Sequence, residues 1–199
     1  MASKIELLRA VAAAVGESPP QDENEGTPFL LQILPIWDSV VLDYTTRHAW
    51  TWGSQLRVIT ATTEEPPEPW DYTYALPVDR TLLRDVFDGN GEPVDYDLED
   101  GKVYAMHSGP LYARINVAAD EGVWPGDFAK IVQDTLEGYS WKGLRDEKQI
   151  GANMIANAES RLKAVIARDR NQKPRQKLNR GTVLKAFRNT LSRRKPLDG

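Results

Sequence analysis

The sequence predicts an α+β fold, mainly helical: a helical-bundle body, a small antiparallel β region inserted into it, and an extended C-terminal arm. Three observations carry this expectation. On both flanks of the chain apolar residues recur at steps of three and four, the spacing that stacks side chains on one face of a helix. Between the flanks, short β-branched and aromatic runs alternate with Pro, Gly and Asp clusters, the pattern of hairpins. At the end, charge changes sign: from Arg168 to Gly199 eleven Lys or Arg stand against Asp169 and Asp198, a net of +9, so an overall −4 leaves residues 1–167 at −13. The expected divisions are residues 1–54 for the N-terminal helices, 55–118 for the β region, 119–170 for the C-terminal helices and 171–199 for the arm.

The strongest pattern is PFLLQILPIWDSVVLDYTTRHAWTW, Pro28 to Trp52. Leu30, Ile33, Leu34, Trp37, Val41, Tyr44 and His48 share one helical face, and Pro35 inside it predicts a kink or two helices in series. Trp50 and Trp52 then alternate with small residues, as in a strand. Trp37, Tyr44, Trp50 and Trp52 are the expected core anchors. Burying one tryptophan removes roughly 200 Å² from water, worth about 5 kcal/mol as an upper bound.

Ahead of this stretch, Ser3 and Glu6 form a capping-box pattern for a helix with Ile5, Leu8, Val11, Ala12 and Val15 on one face, ending at Gly16. An acidic Pro/Gly-rich connector leads to Thr27, a second N-cap. After Trp52, strands are expected at Gln55–Thr63, around Tyr72, Tyr74 and Leu76, at Leu82–Phe87 before the DGNG turn, at Val94–Leu98 and Lys102–Met106 around Glu99-Asp100-Gly101, and at Leu111–Val117. EEPPEP, with three prolines, is a surface loop. Helical spacing resumes with Phe128, Ile131, Val132, Thr135, Leu136 and Tyr139. A last helix from Asp146 is expected to turn Ile150, Asn153, Met154, Asn157, Ala158, Arg161, Leu162 and Val165 to a partly wet seam, with Glu159 and Lys163 paired outside. Beyond Arg170 the apolar content is too low to fold alone, until Thr182 can cap VLKAFRNTL, whose Val183, Leu184, Phe187 and Leu191 form an apolar face.

The absence of cysteine among 199 residues excludes disulfides, thiolate metal sites and cysteine nucleophiles. No apolar run reaches the length of a bilayer span, so a soluble, unexported chain with no membrane partner is expected. Asp95, Asp97, Glu99 and Asp100 resemble the start of a calcium loop, but Gly101 comes one place late and Met106 stands where a bidentate Glu is needed, so the segment reads as an acidic hairpin. His48 and His107 have no ligand-spaced neighbour, and His107-Ser108-Gly109 reads as a loop rather than a nucleophile and its base. GxxxxGK[ST] and GxGxxG are absent. No catalytic, metal or cofactor site is expected.

The candidate functional residues are therefore in the arm: Arg175, Lys177, Arg180, Arg188, Arg193, Arg194 and Lys195 with Val183, Leu184, Phe187 and Leu191 between them. Clustered cations bind phosphate backbones or acidic protein surfaces, and an unbound solvated tail is the plainest alternative. The apolar residues favour a protein groove, since a nucleic-acid arm needs no such anchors. A cell-wall hydrolase, needing only two placed carboxylates, has no dedicated signature here.

The order of these pieces resembles the tail tubular protein A family, the head-to-tail adaptors of short-tailed bacteriophages. The likeness covers about residues 3–170 and rests on WDSVVLDYTTRHAWTW, on DYTYALPVD, similar to the family's Tyr-x-Tyr-x-Leu-Pro-x-Asp, on VDYDLEDGKVY and on AESRLKAVIARD. Departures are the corner Ala49-Trp50-Thr51-Trp52-Gly53, where the family has Pro-Trp-Asn-Phe-Ala, and KIVQDTLEGYSWK in place of an alanine-rich seam. The resemblance implies a structural virion protein at the head-tail interface, assembled in the host cytoplasm. It implies a twelvefold homo-oligomeric ring through which DNA passes, its C-terminal arm docked on the portal protein and its far face receiving the tail nozzle. An acidic lumen would then let the duplex slide.

Overall fold

Ser3 and Glu6 cap one another: the Glu6 backbone N–H donates to the Ser3 hydroxyl, and the Ser3 N–H donates to the Glu6 carboxylate at 2.8 Å. In the computed structural model of the chain, which describes residues 3–172, helix α1 (Lys4–Ala14) starts there. It stops at Gly16, whose φ of +75° favours a residue without a side chain. Arg145 closes that end by donating to the carbonyls of Val15 at 2.8 Å and Gly16 at 3.0 Å. Leu7 joins Leu8, Val11, Ala12 and Val15 inside, while Ile5 is only half-buried.

Thr27 opens α2 (Pro28–Thr46) by accepting from the Leu30 N–H at 3.2 Å. Two helices in series do not form. A single helix runs through Pro35, which is exposed beside Leu31, so water reaches the carbonyl that the proline leaves without a partner. Phe29, Leu30, Ile33, Trp37, Val40, Tyr44 and Thr45 are buried, and Leu34 and Val41 lie at the edge of that face. The strand reading of Trp50 and Trp52 is wrong: both sit in the turn ahead of β1, where the Trp50 indole N–H donates to the Tyr44 carbonyl at 2.9 Å and folds the chain back on the helix end.

Six strands follow: β1 (Ser54–Ile59), β2 (Tyr72–Ala75), β3 (Arg80–Phe87), β4 (Tyr96–Glu99), β5 (Lys102–Ala105) and β6 (Leu111–Val117). They form two antiparallel three-stranded sheets, ordered β1-β6-β3 and β2-β5-β4. Of the sheet neighbours only β4 and β5 are consecutive, joined at Asp100 and Gly101, which take φ of 49° and 75°. β6 instead inserts between β1 and β3, pairing Ile59 with Leu111 and Leu83 with Ile115. The inner faces bury Ile59, Val86, Leu111, Ala113 and Ile115 against Tyr74, Val103 and Ala105, a second apolar core beside that of the helices.

Helices α3 (Gly126–Leu144) and α4 (Lys148–Gln172) form an antiparallel hairpin turned at Asp146, whose φ is 53°. They touch at two glycines: a Cβ on Gly138 would stand 2.8 Å from the Gly151 carbonyl oxygen. α4 buries Gly151, Ala158, Leu162, Val165 and Asp169. The expected face is right at Ala158, Leu162 and Val165 and lacks Gly151 and Asp169. Ile150, Asn153, Asn157 and Arg161 are exposed, because the tight approach to α3 selects small residues over polar ones. The Glu159 carboxylate pairs with Arg47 of α2 at 2.6 Å rather than with Lys163. The chain is thus a mixed α+β protein of four helices and two small sheets.

Candidate functional site

The α2–β1 corner gathers the aromatic residues. Trp37, Tyr44 and Trp50 are buried and Trp52 is partly so. Trp50 lies 5.5 Å from Trp52 and 4.9 Å from Phe128 between ring centres, Trp52 lies 5.0 Å from Phe128, and Trp124 links the group to Trp37 at 6.1 Å. Offset and edge-on pairs of this kind add to area burial through the ring quadrupoles. The Tyr44 hydroxyl bonds Thr135 at 2.8 Å, and burial pushes its pKa up to about 12.

Asp169, in the last turns of α4, is clasped by this corner. Its carboxylate accepts from the Thr51 hydroxyl at 2.5 Å and the Thr51 N–H at 3.2 Å, and lies 2.8 Å from His48 Nε2. The His48 and Asp169 side chains are each only 6% exposed. Thr51 and His48 both address the carboxylate, so the hydroxyl is not aligned on the imidazole as a nucleophile on its base would be. The group acts as a structural tie that fixes where α4 ends and residues 173–199 begin. Sequence reasoning missed it because Asp169, between Arg168 and Arg170, has no local signal, and its partners are 118 and 121 residues away.

Two exposed faces are apolar enough to receive a partner. One is a stripe on α2 with Leu31, Pro35 and Leu42. The other is the outer face of β1-β6-β3, where Leu56, Val58, Leu82, Phe87 and Tyr112 surround Arg114. Between α3 and α4 an open groove of about 480 Å³ is lined by Asp134, Met154, Asn157, Ser160 and Arg161, and Asp134 is held by Arg161 and by Lys130 at 2.8 Å. The acidic residues 95–100 lie on the β4–β5 hairpin, with Asp97, Glu99 and Asp100 facing solvent. His107 Nδ1 accepts from the Gly109 N–H at 3.1 Å, and the Tyr74 hydroxyl binds the carbonyls of His107 and Gly109, which makes this segment a closed loop.

Among the described residues no helix is long and apolar enough to cross a membrane, and no group of three or more His, Asp or Glu could hold a metal. The arm residues from Arg175 to Lys195 lie outside the described residues. Compared with protein-family models and with curated proteins, the chain matches none.

Proposed function

We propose that the chain is a structural virion protein without catalytic activity of its own, one subunit of a ring adaptor between portal and tail nozzle through which genomic DNA passes. In this reading α1 to α4 act as a helical-bundle body, the β region is inserted into it, and Arg175 to Lys195 dock on the portal with Val183, Leu184, Phe187 and Leu191 as anchors. The observation that supports it most is the tie at Asp169: an acidic body, −12 over residues 1–172, ends in a fixed helix end followed at once by 27 residues carrying +8. A segment of that composition, held at one defined point, is suited to reaching a partner and ordering on it. The apolar α2 stripe and the polar α3–α4 groove offer opposing kinds of surface for neighbouring copies.

The test is the mass of the chain with and without portal rings. Binding of about twelve copies per ring is expected, and its abolition when Val183, Leu184, Phe187 and Leu191 are all changed to Ser. Unchanged binding by that variant would defeat the arm assignment. The charge of the arm also favours a second reading, a nucleic-acid-binding module; affinity for naked duplex that falls steeply with salt would select it.

A further inference from the structure

The outer face of the sheet β1-β6-β3 carries an exposed apolar patch beside the Arg114–Asp85 pair. Leu56 and Val58 of β1 are 56% and 58% exposed, and the register sets them beside Arg114 and Tyr112 of β6, with Phe87 of β3 across Tyr112. An antiparallel sheet that meets only water on one face carries polar residues there. Against the DGNG turn this face deepens into a cavity of about 250 Å³, lined by Leu56, Phe87, Tyr112, Arg114, Asp88, Gly89 and Gly91. Asp88 in its lining and Asp85 beside it supply carboxylates, while Arg114 is already engaged with Asp85 at 3.7 Å and lies over the Phe87 ring at 4.9 Å.

We propose that this face is the resting site of the chain's own residues 173–199, with Val183, Leu184, Phe187 and Leu191 laid on Leu56, Val58, Phe87 and Tyr112. Three observations choose this occupant. Asp169 is bonded to Thr51, three residues before β1, so the segment leaves the body at the near end of this sheet. The ten residues from Lys173 to Thr182 can span up to about 33 Å, more than the roughly 20 Å length of β1, so the apolar residues that follow reach the whole face. The segment carries +8, while the one arginine lining the cavity is already paired with Asp85, which leaves the Asp88 carboxylate beside it. The inference goes beyond the adaptor reading and stands without it. If both hold, the four anchors rest on the sheet until a partner offers a better site, and apparent affinity for that partner is reduced by the fraction at rest.

The absence of native cysteine makes a clean test possible in the full chain. Val58→Cys combined with Phe187→Cys is compared, at micromolar concentration under mild oxidation, with Leu42→Cys combined with Phe187→Cys. Leu42 is 57% exposed, on α2, and serves as the control. Cross-linking within single chains at least about tenfold faster for the Val58 pair is expected, the ratio that separates a mostly docked segment from one merely tethered. Equal rates would overturn the proposal, as would cross-links that join two chains, which would make a second copy the occupant. Circular dichroism and the urea midpoint check folding, and Leu56→Cys carries the same comparison should Val58→Cys unfold the chain. Portal binding is measured separately, so equal cross-linking rates with intact portal binding would sink this proposal alone.

Discussion

Asp169→Ala removes the acceptor for the Thr51 hydroxyl, the Thr51 N–H and His48 in one step. The His48 and Asp169 side chains are 6% exposed, so water does not replace the lost partner. A hydrogen bond to a charged group contributes about 1.5–3 kcal/mol, and each buried donor left without its acceptor costs about 1–3 kcal/mol, so the three donors that share this carboxylate together cost about 3–5 kcal/mol. The last figure is the better guide, since the bonds share one carboxylate and are not additive. For a chain of this size that corresponds to a fall in Tm of roughly 10 °C. Urea unfolding followed by tryptophan fluorescence reads it directly, because the Trp50 ring stands edge-on to His48 at 4.8 Å. The midpoint should fall with an unchanged slope. Asp169→Asn keeps the shape and one oxygen and should fall between wild type and Ala. Thr51→Val removes only the hydroxyl and should cost about 1–2 kcal/mol. A loss below about 1 kcal/mol for Asp169→Ala would refute the view that this carboxylate ties α4 to the corner.

Other expectations follow from the packing. Gly138→Ala places a Cβ 2.7 Å from Ile155 Cγ1 and 2.8 Å from the Gly151 carbonyl oxygen, so a thermal melt should show a loss of about 1–3 kcal/mol, whereas Gly122→Ala, with open space around it, should stay within about 0.5 kcal/mol of wild type. Tyr44→Phe should cost about 1 kcal/mol near neutral pH through the lost bond to Thr135. The folded pKa of Tyr44 lies above its unfolded value of 10.0, at about 12, so its contribution is complete below pH 10 and is lost as pH rises from 10 through 12. The stability difference between wild type and Tyr44→Phe, measured by urea titration across that window, should therefore shrink. Arg145→Ala uncovers the carbonyls of Val15 and Gly16 and should cost about 1 kcal/mol, with faster amide exchange in the last turn of α1 as the readout.

Elements were legible in the sequence where one local signal decides them. Ser3 with Glu6 and Thr27 before Pro28 mark helix starts by their own hydrogen bonds, and the strands before and after Asp100-Gly101 are bounded by turn chemistry. Partners were not legible, because they depend on distant residues. The β-branched runs around Val58, Val86 and Ile115 read as strands, yet nothing local says that β6 enters between β1 and β3. Hydrophobic spacing found Ala158, Leu162 and Val165 of the α4 face but missed Gly151, which permits the close approach to α3 and contributes almost nothing to an apolar count. It misread Trp50 and Trp52 because alternation also describes a turn whose rings are packed by Phe128 and Trp124. Of the candidate site, the charge and apolar spacing of the arm could be read, but the tie that sets its origin could not.

That tie also has a consequence for synthesis. The corner residues His48 and Thr51 emerge early from the ribosome, while the carboxylate that completes them is made 118 residues after Thr51. Folding that begins at the N-terminus must hold Trp50 without its final neighbours until α4 has been translated. A nascent chain stalled before Asp169 should therefore expose its indoles to quenchers, and release of the finished polypeptide should shield them in one late step.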